Sequence, residues 1–361
     1  MDLVPQKVDV LEPQSVERVQ EKPARRDLPF RFTGSASEYF RIWIVNTLLT
    51  IVTLGIYSAW AKVRNRQYFY RHTFVDGSSF EYLADPIKIL KGRLVVAAVL
   101  GAIAASQYYS PPLYVGLIVL AFLATPWAVV RGMAFNARNT SFRNVRFAFT
   151  GNVGEAAALY FGMLALYFLT CGCAYPYAHY RFTDFIVSRH RYGSEPFTFY
   201  SAKMGDYYRV YLAVLAMSVP AYFFLLVPLL LSDHVGGQEA LMLMVPGLVA
   251  FYLLLFVPAA YFQSRLANLL YGNMRIGLHS FSCRQRARDL FVLYVTNALA
   301  VLFSAGLLIP WAKVRLARYR AQCLTLHAEG SLDVAAEHGA EGSVFGDAAT
   351  DLGDFDLGIG A

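Results

Sequence analysis

Charge is what this sequence most lacks. Only 16% of its 361 residues are Asp, Glu, Lys or Arg while 57% are hydrophobic, and the mean hydropathy of +0.40 is wrong for a soluble protein of this length. Cysteine is scarce as well. Cys171, Cys173, Cys283 and Cys323 have no zinc-type spacing, and Cys171-Gly172-Cys173 sits inside an apolar run, which points to small packing residues rather than redox or metal chemistry. The first thirty residues mix acids and bases and hold no apolar core followed by small residues, so insertion is expected to be directed by the mature helices rather than by a cleaved leader. Catalytic phrases are missing too. There is no H-E-x-x-H, no G-x-S-x-G, no phosphate-cradling G-x-x-x-x-G-K-S and no G-x-G-x-x-G after a strand. His72, His179, His190 and His327 recur near basic segments without a pattern of carboxylates beside them, and read as interface or core residues. The expectation is therefore no enzyme, no metal, no cofactor and no nucleic-acid partner.

What the chain does have is apolar length. Leu94 to Val130, broken at Ser110-Pro111-Pro112, and Val210 to Phe262, broken at Ser232 to Glu239, each carry enough uncharged sequence for two crossings of about 20 residues. They read as two transmembrane helical hairpins. Three further apolar stretches, Phe40 to Ala61, Ala156 to Tyr177 and Leu290 to Ala312, are interrupted by glycine.

Those three stretches are related. Aligning the two copies of W-A-K-V-R puts Asn46 on Asn297, Gly55 on Gly306, Trp60 on Trp311, Lys62 on Lys313, Arg64 on Arg315 and Tyr68 on Tyr319. A decayed third copy sets Phe30-x-Phe32-Thr-Gly34 against Phe147-x-Phe149-Thr-Gly151, Gly55 against Gly172, Arg64 against Arg181, Tyr68 against Phe185, and Phe80-Glu-Tyr82 against Phe197-Thr-Phe199. Each copy reads as a short strand, an apolar helix, a Gly break, a helix that ends basic, and a second short strand. The expected fold is thus mainly α: a polytopic membrane protein of three degenerate repeats separated by two hairpins, its short strands pairing into one small sheet at the membrane surface. By residue, 1–27 is a polar flexible N-terminus, 28–90 the first repeat, 91–131 a hairpin, 132–207 the second repeat, 208–263 a hairpin, 264–327 the third repeat and 328–361 an acidic flexible tail.

The basic helix carries the candidate site. Trp60, Arg64, Tyr68 and His72 are four apart and share a face, as do Trp311, Arg315 and Tyr319, and Tyr177, Arg181 and Phe185 keep the order of aromatic, arginine, aromatic. Arginine flanked by rings suits the level of lipid headgroups. Trp60, Lys62, Arg64, Tyr68, Arg181, Trp311, Lys313, Arg315 and Tyr319 are the candidate residues for an anion or headgroup. The simpler reading is that the stripe only anchors the helix end and packs the repeats together. Asn46 and Asn297 read as side chains that bridge helices. Basic residues crowd every connection except the two hairpin tips, which favours a cytoplasmic side for those connections, with the repeat segments entering and returning or lying in the interface while only the hairpins span; the alternative is that each stretch, long enough to cross, spans once, which gives seven helices and inverts neighbouring repeats. The tail carboxylates Asp347, Asp351, Asp354 and Asp356 do not fit an EF-hand loop, so docking on the basic cytoplasmic face or plain disorder is expected of them.

The run F-x-F-T-G-S-A-S-E-Y-F from Phe30, then T-L-G-I-Y-S-A-W-A-K-V-R with Arg66 and Tyr68, D-G-S-S-F-E-Y, P-W-A-K-V-R-L-A-R-Y and the closing G-D-A-A-T-D-L-G-D-F-D-L-G resemble the YjgN family of bacterial inner-membrane proteins. The middle copy has Pro176-Tyr-Ala-His179-Tyr-Arg181 in place of the shared phrase, so a role for Lys62 or Lys313 does not carry over to it. The resemblance implies a multi-pass inner-membrane protein and supplies no activity. Two functions from different classes fit the residues. One is transport or handling of a lipid or amphiphilic anion, with membrane lipids as partners; the other is a non-catalytic scaffold that recruits a cytoplasmic protein through its surface sheet and acidic tail.

Overall fold

A computed structural model describes residues 25–232 and 237–329; the acidic tail and most of the polar N-terminus lie outside them. The two long apolar runs form helices where turn chemistry allows them to start. Asp85 accepts a hydrogen bond from the Ile87 N–H and Pro86 opens α3 (Pro86–Tyr109); Ser110, extended at φ −159°, and Pro111 separate it from α4 (Pro111–Arg138). The second long pair is α7 (Met204–Ser232) and α8 (Gly237–Gly272). All four are long and apolar enough to cross a membrane.

Three shorter pairs accompany them: α1 (Ala36–Val52) with α2 (Ser58–Arg71), α5 (Val153–Leu169) with α6 (Tyr175–Ser188), and α9 (Ala287–Phe303) with α10 (Ile309–Gln322). In each the first helix has 17 residues and the second 14. Each reverses on two consecutive left-handed residues, Leu54-Gly55, Cys171-Gly172 and Ala305-Gly306, with the glycine at φ 91°, 88° and 90°. A side chain fixes the reversal each time: the hydroxyls of Thr53, Thr170 and Ser304 accept from the N–H of Tyr57, Ala174 and Leu308. The tips are apolar and open, with Leu54 94%, Leu169 82% and Phe303 85% exposed.

Strands join the pairs into one object. They are β1 (Arg25–Pro29), β2 (Arg31–Phe32), β3 (Thr73–Val75), β4 (Ser78–Tyr82), β5 (Thr140–Phe142), β6 (Val145–Phe149), β7 (His190–Tyr192), β8 (Glu195–Phe199), β9 (Met274–Ile276), β10 (His279–Cys283) and β11 (Leu324–Glu329). They form a single antiparallel sheet in the order β1-β11-β10-β9-β8-β7-β6-β5-β4-β3-β2. Since β1 and β2 are consecutive segments of one bent strand, the sheet closes on itself and leaves no long free edge. The small sheet expected from three repeats is therefore larger and closed, because strands flank the two long hairpins as well.

Every helical pair leaves from one strand and returns to the neighbour of that strand. At the return, the backbone makes the same bond five times: Thr33 N–H to His72 O (3.0 Å), Leu83 to Asn139 (2.7 Å), Thr150 to Arg189 (2.8 Å), Tyr200 to Asn273 (2.8 Å) and Arg284 to Cys323 (2.9 Å). On the opposite rim the strands connect by tight turns. Asp76-Gly77 and Arg143-Asn144 both place two residues at positive φ, the handedness that matches strand twist. The long hairpins, which the sequence sets apart from the repeats, are thus seated on the sheet in the same way as the short pairs.

The ring is filled. Alternate residues of its strands turn inward, and Phe30, Phe80, Phe142, Tyr192, Phe147 and Phe197 stack in succession with centroids 4.8–6.3 Å apart. The Tyr192 hydroxyl donates to the Phe142 carbonyl at 3.0 Å, so the polar atom inside is satisfied. Above this floor the substantial helix contacts run between neighbours, from α1 through to α10, and α10 packs back on α1.

Candidate functional site

The five second helices, α2, α4, α6, α8 and α10, return to the sheet in one register. Eight residues before each carbonyl that accepts the junction bond stands an arginine: Arg64, Arg131, Arg181, Arg265 and Arg315. Four residues earlier stands an aromatic: Trp60, Trp127, Tyr177, Tyr261 and Trp311. At 1.5 Å per residue the arginines lie about 12 Å above the junctions, as a belt around the ring at one height. The guanidinium groups of Arg181, Arg265 and Arg315 lie 6.0, 5.3 and 5.1 Å from the ring centres of Tyr177, Tyr261 and Trp311, within cation–π range.

Surroundings differ around the belt. Arg64, Arg181 and Arg265 are exposed. Arg131 has its Nε buried with no hydrogen-bond partner among the described residues. Arg315 donates to Thr296 Oγ1 at 2.5 Å and Asn297 Oδ1 at 3.1 Å. Asn297 in turn donates to the Ala312 carbonyl at 3.4 Å, and Asn46, 3% exposed, donates to Asn65 at 3.3 Å. Both asparagines tie the two helices of a pair together, the role their apolar setting suggests.

The candidate residues named from sequence fall into two groups. Trp60, Arg64, Arg181, Trp311 and Arg315 belong to the belt. Tyr68 and Tyr319, one turn nearer the sheet, instead pack on the strand–helix junction. The Tyr68 hydroxyl donates to the Ser35 carbonyl at 2.8 Å and its ring stacks on Tyr39 at 5.1 Å. Tyr319 donates to the Arg286 carbonyl at 3.2 Å and accepts from the Arg286 N–H at 2.9 Å. Ser35 and Arg286 are the residues that cap α1 and α9, so both phenols hold a helix start. Lys62 is half-buried and Lys313 exposed; the same position holds Val129, His179 and Gln263 in the other pairs, so lysine is not common to the belt. His72 and His190 bond carbonyls of their own helices, Tyr68 O and Ile186 O, each at 2.7 Å, and His179 bonds the Tyr211 hydroxyl at 2.7 Å.

Sequence reasoning missed Arg131 and Arg265, which look like loop charges at hairpin ends. A signal was there for the first: Trp127-Ala-Val-Val-Arg131 differs from Trp60-Ala-Lys-Val-Arg64 at one position. Guanidinium groups beside rings at one level of a membrane protein suit planar, bidentate recognition of phosphate or carboxylate.

Comparison with known proteins places the chain. The family described as "Bacterial protein of unknown function (DUF898)" matches residues 27–352. Inner membrane protein YjgN of Salmonella typhimurium is 32% identical over 126 residues, 35% of this chain and 32% of that protein. The protein of the same name from Escherichia coli O157:H7 is 34% identical over 121 residues, 33% of this chain and 30% of its own. These alignments span about a third of each relative. No solved structure matches. With four helices long enough to span and a family match over most of its length, the chain is a multi-pass inner-membrane protein that belongs to this bacterial family of unknown function.

Proposed function

We propose that the chain is a ring of five related units, three with short re-entrant helical pairs and two with long spanning ones, that holds an anionic amphiphile of the bilayer at its arginine belt. The belt carries the reading. Five arginines in one register, each one turn from an aromatic, are what a headgroup phosphate at the membrane interface calls for. The aromatic filling of the sheet ring supports handling of a lipid at the membrane face rather than passage of solute through the ring. The three low apolar tips support entry from the side, since a short pair leaves lipid beside its taller neighbours. Lys62 and Lys313 add charge at two of the five positions.

The test is lipid binding by the full chain in detergent, titrated with phosphatidylglycerol and with phosphatidylcholine. Each arginine beside an anionic surface is worth about 1 kcal/mol, so each of R64Q, R131Q, R181Q, R265Q and R315Q lowers phosphatidylglycerol affinity about fivefold and leaves phosphatidylcholine unchanged. Equal affinity for both lipids in the unaltered chain refutes the reading. A scaffold would instead lose a bound cytoplasmic protein when the tail is removed; such a truncation has to begin after Glu329, because β11 closes the sheet.

A further inference from the structure

The seam at which the sheet closes brings together three residues that the sequence keeps far apart. Asp27 on β1 pairs directly with His327 on β11, and Ser282 on β10 lies two positions from the partner of His327 on the other side, so all three side chains emerge on one face. His327 Nδ1 is 2.6 Å from Asp27 Oδ1, and its Nε2 is 2.8 Å from Ser282 Oγ. The imidazole is mostly covered, 14% exposed, while the carboxylate sits at the open end. This is acid, base and hydroxyl in line, with each ring nitrogen facing the partner that general-base activation of a serine requires.

The trio opens into a cleft of about 340 Å³ that is also lined by Arg284, Arg286 and Asp289. The described residues give neither arginine a carboxylate partner. The start of α9 borders the same cleft with no side-chain cap at Arg286, so the first-turn N–H groups there lack intrahelical acceptors. Cys323 also lines the cleft, but burial pushes its thiol above the ordinary value, which leaves it a poor nucleophile. The hydrogen bond from His327 holds the Asp27 carboxyl below its usual value, keeping it ionised opposite the imidazole. At the four other junctions the place of Ser282 is taken by Arg31, Glu81, Ala148 and Thr198, so the arrangement belongs to the seam alone.

We infer that Ser282, His327 and Asp27 form a hydrolytic site for a carboxylic ester that bears an anionic group, the anion being received by Arg284 and Arg286. In the first step Ser282 Oγ bonds to the ester carbonyl carbon as its proton passes to His327 Nε2; the carbon–oxygen bond to the alcohol breaks, and the alcohol leaves with that proton. Water is the second reactant. His327 takes its proton, the hydroxide adds to the acyl carbon, and Ser282 departs with the proton restored, releasing the acid. Asp27 orients the imidazole and balances its charge throughout. The inference stands apart from the arginine belt, since none of its residues is shared with it.

The test is active-site labelling of the full chain in detergent with a fluorophosphonate probe, beside hydrolysis of p-nitrophenyl butyrate and of mono-p-nitrophenyl glutarate. The chain is expected to be labelled at Ser282, S282A to lose labelling and hydrolysis, and H327Q to lose about a hundredfold in rate, the scale of general-base catalysis. R284Q and R286Q should lower the ratio of glutarate to butyrate hydrolysis toward one. Size-exclusion profiles and phosphatidylglycerol binding of S282A report folding separately. No labelling of the unaltered chain, or labelling that survives S282A, overturns the inference; unlabelled chain together with a lowered melting temperature for S282A would assign the trio to tying the seam.

Discussion

Tyr319 offers a sharp test of how the helical pairs are held, because α9 begins without a cap of its own. Arg286 at its start supplies no side-chain acceptor, and the Tyr319 hydroxyl makes up for it with two hydrogen bonds to the Arg286 backbone, at 2.9 and 3.2 Å. Tyr319→Phe removes both and leaves the Arg286 N–H without its side-chain acceptor, while the Arg286 carbonyl keeps only the Leu290 N–H at 3.2 Å. At about 1 kcal/mol per net bond the loss is about 2 kcal/mol, or roughly 4 °C at the lower end of the size scaling. Tyr68→Phe is the comparison. Its hydroxyl makes one good bond, 2.8 Å to the Ser35 carbonyl, and Ser35 caps α1 with its own side chain, so about 1 kcal/mol and half the shift is expected. The assay is thermal unfolding of the two variants in one detergent, with amide exchange of the first turn of α9 as the local readout. Equal shifts, or faster exchange in α1 than in α9, would refute the capping argument.

Three further outcomes follow from particular contacts. Gly55→Ala forces alanine to φ 91° where nothing lies within 4 Å of the new Cβ, so its melting temperature should fall by the backbone cost alone, about 1–2 kcal/mol. In Gly151→Ala the Cβ would stand 2.4 Å from the Phe149 ring; about 1–3 kcal/mol of overpacking is expected, and Phe149→Leu should recover part of it in the same melt. Asp27→Asn tests the seam through pH. Because the hydrogen bond from His327 holds the folded carboxyl below the ordinary carboxylate range, its contribution is present above that range and fades as pH falls through the lowered value. The stability gap between D27N and the unaltered chain should therefore be open at neutral pH and close in acid; a gap that persists in strong acid would contradict the assignment.

Length and composition were enough to locate the spanning hairpins, since an uncharged run of that length leaves few other fates, and Ser110-Pro111-Pro112 marks the break between α3 and α4. The glycine reversals were legible too, because only the left-handed region lets a 17-residue helix turn back within five residues. Closure of the sheet was not. It depends on the bend at Phe30, which lets one segment pair as β1 against β11 and then as β2 against β3, and nothing local to residues 25–32 says that the same segment has two partners. The belt was visible only in part because Arg131 and Arg265 end the long hairpins, which their length sets apart from the three repeats that carry Arg64, Arg181 and Arg315. Residues 27, 282 and 327 could not be joined by any motif, since closure of the ring is what makes them neighbours.

The claim at the centre of this account is that all five helical pairs stand on one side of the sheet and all strand turns face the cytoplasm. Single cysteines at Ser78, Ser194 and Leu278, in the β3–β4, β7–β8 and β9–β10 hairpins, and at Tyr109 at the end of α3, test it in a background without the four native cysteines. With an impermeant thiol reagent on intact cells, the account predicts labelling at Tyr109 and none at the other three until the cells are lysed. Labelling of Ser78 or Ser194 from outside would place successive turns on opposite faces of the membrane and contradict it.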